Sequence, residues 1–267
     1  MSSSDQTNGS LLEIEGLSKA FKGLQALEDY HLHLLPSEIV GVIGPNGAGK
    51  TTIFNVVTGF YSPSAGTVLF NGHDITYSPP EVVTRLGLVR TFQNVRLFGD
   101  LTVLDNVKAA QQLHVPRSLT STILSLPAFR RREKDLEERA LALLETFGLV
   151  DRRTTLARNL PYGDQRRLEI ARALATEPRV LLLDEPAAGM NPHETDELHH
   201  LILYIREQFN LSIVLVEHDM HLVMNLCERI QVLNYGRMIA EGTPDEVRND
   251  PQVVEAYLGH ANKELAA

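Results

Sequence analysis

An apolar run at residues 38–43 (EIVGVI) opens into Gly44, Pro45, Asn46, Gly47, Ala48, Gly49, Lys50, Thr51 and Thr52, and this junction constrains the chain more than any other. The pattern is G-x-x-x-x-G-K-[ST] between an expected strand and an expected helix that starts about Thr52. Its glycines let the backbone curl until successive N–H groups converge on phosphate oxygens. A helix starting directly afterwards adds a partial positive charge at its N-terminus. Lys50 is placed to reach the β- and γ-phosphates of a nucleoside triphosphate, and the Thr51 hydroxyl to bind Mg²⁺. Such a loop joins a buried strand to the helix it feeds, which points to an α/β fold.

Three further runs share this apolar character, at residues 86–92 (LGLVRTF), 179–183 (RVLLL) and Ser212–Val216 (SIVLV). Runs of this length without polar alternation suit parallel strands covered by helices on both faces. Helical patterns at residues 165–175 and 193–208 lie between them, and the interval 103–175 reads as one long helical segment. Each run ends at polar chemistry: the 44–52 loop, Gln93, Asp184 with Glu185, and Glu217-His218-Asp219. Ligands of open α/β sheets gather beyond the carboxyl ends of the strands, so four such ends on one edge predict one shared site. Taken singly, each is equally a strand running into a polar surface loop. Asp184 suits a metal ligand acting through water, and Glu185 is placed to orient or deprotonate an attacking water. The alternative for these two, an acidic pair capping the helix that follows, is weakened by the intervening Pro186, Ala187, Ala188 and Gly189.

Composition narrows the function. The 267 residues are 43% hydrophobic and 22% charged, enough for the core of one or two domains. A net charge of −9 disfavours a broad nucleic-acid face, so no nucleic-acid partner is expected. The single cysteine, Cys227, excludes an intramolecular disulfide and a zinc site built on several thiolates. Residues 1–10 (MSSSDQTNGS) read as a disordered tail rather than a signal peptide. No run approaches the roughly 18 apolar residues of a spanning helix.

What lies between Lys50 and Asp184 decides the kind of phosphate-loop protein. No guanine-reading [NT]KxD tetrapeptide follows a strand. Residues 159–174 (NLPYGDQRRLEIARAL) resemble the signature of ABC-type ATPases, usually LSGGQ followed by a basic amphipathic helix. With GPNGAGKTT, Gln93, LLLDEP and His218 in order, the resemblance covers nearly the whole chain. More narrowly, NLPYGDQRRLEIARALA, DEPAAGMNP, VEHDM and EGTPDEVRNDPQVVEAYLG resemble the ATP-binding subunits of bacterial importers for branched-chain and other hydrophobic amino acids.

That resemblance implies a P-loop NTPase with a mainly parallel sheet core, an N-terminal antiparallel β subdomain and an inserted α-helical subdomain. One ABC ATPase domain would occupy residues 11–258, with its core at 11–95 and 176–258, its helical subdomain at 96–175 and a family-specific insertion at 113–135. Residues 259–267 would form a tail. It implies an ATPase using ATP and Mg²⁺ that meets a second ABC ATPase subunit, identical or a paralogue, head to tail. The pair would drive two integral membrane permease subunits, served indirectly by an extracytoplasmic solute-binding protein. Its place would be peripheral, on the cytoplasmic face of the bacterial inner membrane.

Carried over by position, Lys50, Glu185 and His218 would be catalytic, with His218 holding the γ-phosphate. Phe21 would stack on adenine, or else serve as a core aromatic on an antiparallel strand. His218 has its own plainer alternative as a packing or capping residue. Thr51, Gln93 and, through water, Asp184 would approach the metal. Leu160, Pro161, Tyr162, Gly163 and Asp164 would face the opposite nucleotide, as would residues 189–192. Residues 113–135, with Arg130, Arg131 and Arg132, would face anionic headgroups or form a solvated loop and helix start. The last helical stretch is expected at residues 244–258 and on the core.

Three positions depart from the family pattern: Pro161 replaces Ser, Tyr162 replaces the first Gly, and Asp164 replaces Gln. Proline has neither hydroxyl nor N–H, and losing one charge-assisted hydrogen bond costs about 1.5–3 kcal/mol. Proline suits the first helical position, leaving the Gly163 N–H to point at a phosphate. Asp164 adds negative charge that needs a basic neighbour. The competing function is a soluble ABC-type ATPase in assembly, such as an iron–sulfur scaffold. A DNA-repair clamp would need a long coiled coil, and a translation-associated ATPase a second phosphate loop; the sequence has neither.

Overall fold

The computed structural model describes residues 9–114 and 126–264, with side chains omitted at 114, 126–130 and 258–264. Residues 1–8, residues 115–125 of the 113–135 segment and residues 265–267 thus lie outside the described residues. The chain divides into two compact units: residues up to Arg90 together with those from Arg179, and Thr91–Pro178.

The first unit holds two sheets. One has the order β2-β1-β4-β5, all antiparallel, built from β1 (Leu12–Phe21), β2 (Leu24–Leu34), β4 (Ala65–Phe70) and β5 (His73–Asp74). The other has six strands, ordered β10-β9-β3-β8-β7-β6. Here β3 is Ile39–Ile43, β6 Leu88–Arg90, β7 Val180–Asp184, β8 Ser212–Val216, β9 Arg229–Asn234 and β10 Arg237–Gly242. From β9 to β6 every pairing is parallel; only β10 runs antiparallel. All residues of β3, β7 and β8 are buried, which is why these strands show no polar alternation.

The antiparallel sheet has no comparable pattern because its alternation breaks. In β1 the buried face passes from Leu12 and Ile14 to Leu17, with a register shift between Ile14 and Leu17 around Gly16 at φ 60. A bulge of this kind changes the phase of every later side chain. Tyr30, fully buried on β2, joins the two sheets through its hydroxyl, which donates to Gln231 Oε1 on β9 at 2.6 Å. Burial and the nearby Glu241 carboxylate raise its pKa, so the phenol stays a donor.

Helices α1 (Lys50–Val57), α2 (Pro80–Leu86), α6 (Pro192–Phe209), α7 (Met220–Leu226), α8 (Pro244–Asn249) and α9 (Pro251–Glu264) complete this unit. Three expected boundaries move. Helix α1 begins at Lys50 rather than Thr52, because Gly49 at φ 109 already takes the cap position. The strand expected at 86–92 shrinks to β6: Leu86 still belongs to α2, Gly87 at φ 104 ends that helix, and pairing with β7 stops at Arg90. The single helix expected at 244–258 is two, since Asp250 precedes Pro251 and is held extended at ψ 122. Helix α9 then continues to Glu264, through residues expected to be a tail.

The second unit carries α3 (Val103–Gln111), α4 (Leu126–Thr146) and α5 (Tyr162–Leu174), with short 3₁₀ turns at Gln112–His114, Val150–Arg152 and Ala157–Asn159. The helical interval 103–175 is therefore broken, with Gly148 at φ 66 two residues past the end of α4. Asn106, fully buried on α3, ties down the preceding loop: its amide donates to the Phe98 and Thr102 carbonyls and its Oδ1 accepts the Phe98 N–H.

Tyr30→Phe leaves Gln231 Oε1 without its phenolic donor. A loss of about 1–3 kcal/mol, read from urea unfolding at fixed pH, is the expected outcome.

Candidate functional site

The loop after β3 folds around its own lysine. Lys50 Nζ donates to the carbonyls of Gly44 (2.6 Å) and Pro45 (3.0 Å). Gly44 is irreplaceable by any larger residue: its φ is 147, and a Cβ would lie 2.1 Å from the Leu233 carbonyl oxygen. Ala48, buried, donates its N–H back to Pro45, while Asn46, Gly47 and Thr51 face solvent and Thr52 is half-buried in the first turn of α1. Burial lowers the Lys50 pKa, opposed by the charges of Glu185 and Asp184. The loop thus presents one cation and a curled backbone to the space beyond the sheet edge.

Strand order then assembles the other groups. Because β8 lies between β3 and β7, the residues following β8 fall between the phosphate loop and the end of β7. His218 Nε2 stands 2.9 Å from Glu185 Oε1. Glu185 sits at φ 47, unusual for a non-glycine residue, and its N–H donates to the Val216 carbonyl at 2.8 Å. Strain of this kind concentrates where a side chain has to be aimed. Glu217 supports the arrangement from below. One carboxylate oxygen accepts the Ala187 N–H at 2.8 Å, and the other accepts the N–H groups of His218 (2.8 Å) and Asp219 (3.3 Å). Burial raises the Glu217 pKa, those amides lower it, and Glu185 adds to the rise.

Asp184, at the end of β7, forms an ion pair that the sequence reading missed. Arg90 Nη2 lies 2.6 Å from Asp184 Oδ2, with side chains 5% and 2% exposed. The same guanidinium donates through Nη1 to Asn55 Oδ1 at 2.7 Å and lies 5.4 Å from the Phe54 ring centre on α1. Phe21 ends β1 at 37% exposure, with its ring edge-on to Tyr61 at 5.3 Å and Lys19 Nζ 5.0 Å from its centre. It is therefore an exposed aromatic on an antiparallel strand, not a core one. Asn191 caps α6, its Oδ1 accepting from Glu194 N and its own N–H bonding Glu194 Oε2, so Asp184 and Glu185 have no capping role there.

Gln93 and the signature residues 160–164 belong to the second unit. Pro161 occupies the cap position of α5, with φ −54 and ψ 153, rather than the first helical position expected; the first turn closes when Gln165 N bonds Pro161 O at 3.0 Å. A cap proline stays extended, and Tyr162, Gly163 and Asp164 supply the first N–H groups, which have no partner within the helix. Asp164 has the basic neighbour it needs in Arg152, at 2.9 Å. Leu160 is buried, and its carbonyl accepts from the Gln165 side chain at 2.9 Å. Among the described residues no cluster of three or more His, Cys, Asp or Glu side chains could hold a metal by itself. Cys227 is buried, with its thiol pushed up to about 12 by desolvation, and is chemically quiet.

Comparison with known proteins agrees with this geometry. The ABC transporter family profile matches residues 27–188, and a profile described as branched-chain amino acid ATP-binding cassette transporter matches residues 237–262. This chain belongs to the ABC transporter ATP-binding family. The Escherichia coli K12 high-affinity branched-chain amino acid transport ATP-binding protein LivG is 50% identical over 94% of this chain and 98% of its own length. The Pseudomonas aeruginosa protein BraF, of the same description, is 46% identical over the same shares. The ADP conformation of MJ1267, an ATP-binding cassette of an ABC transporter, superposes with a TM-score of 0.81 at 31% identity, covering 94% of this chain and 99% of that one. The chain is an ABC-type ATPase that binds nucleotide, and its fold is the α/β cassette expected.

Glu185→Gln keeps the size of the side chain and removes its basicity. Nucleotide affinity measured by a fluorescent ATP analogue should stay within about twofold while phosphate release falls about 10²–10⁴-fold. Turnover near the original rate would remove Glu185 from the base role.

Proposed function

We propose that this ABC ATPase powers import of branched-chain or other hydrophobic amino acids, acting from the cytoplasmic face of the bacterial inner membrane. The observation that carries the solute class is the match at residues 237–262, a segment outside the nucleotide machinery. The assembly role weighed against it gains nothing from the relatives, whose names are those of transport proteins. No helix among the described residues is long and apolar enough to cross a membrane; in this reading the energy reaches the solute path through integral permease subunits.

In this reading ATP lies along the 44–52 loop with its adenine on Phe21. Lys50 exchanges its two carbonyl partners for β- and γ-phosphate oxygens, a change its confined position makes short. Glu185 orients the attacking water and accepts its proton, while His218, already within hydrogen-bond distance of that carboxylate, steadies the γ-phosphate. The donors near the phosphates are hard oxygens, the Thr51 hydroxyl and the Asp184 carboxylate, which suit Mg²⁺ rather than a softer metal. When bound, Mg²⁺ would supply charge stabilisation on the phosphates, held by Thr51, by Asp184 through water and by Gln93. The signature amides after Pro161 and residues 189–192 would meet the nucleotide of a second ATPase subunit, self or paralogue, in a head-to-tail pair. One solved relative, the cassette MJ0796 bound to ADP and Pi, is described as dimeric. The helical part at residues 96–175, with its 113–135 insertion, would face the permeases, and a solute-binding protein would act on them from outside.

Capture of the tagged chain from membranes is expected to bring down two integral permease subunits, and recovery of none would overturn the transport reading. Pro161→Ser restores a hydroxyl toward the opposite γ-phosphate. If the present signature is the weaker contact, turnover of the assembled complex should rise by up to about tenfold, one such hydrogen bond being worth about 1.5 kcal/mol or more. An unchanged or lower rate would count against a weakened contact.

A further inference from the structure

A guanidinium has five N–H donors and does not lose its charge, so a fully buried one must be surrounded by acceptors. Arg166, on α5, is 1% exposed and heads the largest fully buried side chains. Its Nη1 donates to the Phe92 carbonyl at 2.6 Å and to Glu169 Oε2 at 3.2 Å, and its Nη2 to the Gln93 carbonyl. Its Nε donates to the Tyr162 hydroxyl at 3.1 Å, and its Cζ lies 5.5 Å from that ring's centre. Glu169, one turn on, accepts the Arg96 N–H at 3.2 Å. Burial raises the Glu169 pKa, while the Arg96 N–H, Arg166, Arg172 and the Phe92 N–H oppose the rise.

These bonds join two segments far apart in sequence. One is 92–96, which carries Gln93; the other is the first turn of α5, whose Tyr162, Gly163 and Asp164 amides form the signature end. The fork of Arg166 is planar and holds adjacent carbonyls, so it resists both sliding and rotation. Tyr162, a departure from the family's glycine, is part of the same construction: its hydroxyl is the acceptor for the Nε–H.

We propose that Tyr162, Arg166 and Glu169 form a buried strut that makes the Gln93 segment and the signature end of α5 one rigid body, with Arg166 the positioning residue for Gln93. A displacement of Gln93 is then a displacement of the amides offered to the opposite nucleotide. The inference rests on the roles proposed above for Gln93 and the signature.

A double-mutant cycle tests it in the transporter assembled with its membrane subunits, reading kcat and the KM for ATP separately. Gln93→Ala and Arg166→Met should each lower kcat about tenfold with KM held within about twofold, since the 44–52 loop keeps its own contacts. Together they should cost about tenfold again in total, not about a hundredfold, because Arg166 acts through Gln93. Tyr162→Phe keeps the carbonyl contacts and should fall between wild type and Arg166→Met, so it carries the test if the methionine variant does not fold. Additive losses, or wild-type kcat in Arg166→Met, overturn the strut while leaving the Gln93 role standing. Wild-type kcat in Gln93→Ala overturns the role and the strut together.

Discussion

A single ammonium group enclosed by its own loop sets the terms for everything around it. Lys50 is bonded to two carbonyls of the turn that precedes it, and burial works against its charge. The charges of two carboxylates, Asp184 and Glu185 at the end of β7, oppose that effect. Those carboxylates in turn require β7 to lie one strand away from β3, with β8 between. The sheet order is thus an electrostatic requirement as much as a packing one: a cation and two anions meet only where these strand ends share an edge.

The same logic of paired burial recurs away from the phosphate loop. Asp184 is matched by Arg90 and Glu169 by Arg166, both pairs almost fully buried, while the more exposed Arg152 and His218 stand beside Asp164 and Glu185. Buried pairs of this sort add little net stability over apolar replacements, yet breaking one leaves an uncompensated charge. Their value lies in geometry. Each holds a carboxylate, or the segment carrying it, in one orientation. Glu217 works likewise with neutral partners, gathering three backbone N–H groups so that the turn after β7 and the turn after β8 share one anchor. This pre-organisation lets a hydrolytic site act without first reordering itself.

The central strands were readable because burial on both faces leaves an unbroken apolar run, and the phosphate loop because its glycines have few other uses at that spacing. The antiparallel sheet was reached only through family resemblance, since the bulge at Gly16 breaks the alternation that would have revealed it. Pro251 explains the split of the C-terminal helix, a local rule that outweighed the apolar periodicity on either side. Arg90 and Arg166 were passed over because a basic residue in a strand or helix ordinarily lies at the surface. Nothing local distinguishes these two from Arg167, and only their three-dimensional neighbours do so.

Residue order alone determined the nucleotide chemistry: a curled glycine loop, a lysine, and an acidic pair at a strand end are local patterns, and local backbone geometry is enough to specify what they hold. Tertiary structure decided which charges meet. Arg90 reaches Asp184, His218 reaches Glu185, and Arg166 reaches the carbonyls beside Gln93 only after strands and helices distant in the chain have packed together. The reason is physical: a backbone turn is fixed within a few residues, whereas the stability of a buried charge depends on whatever the fold sets within about 3–4 Å of it.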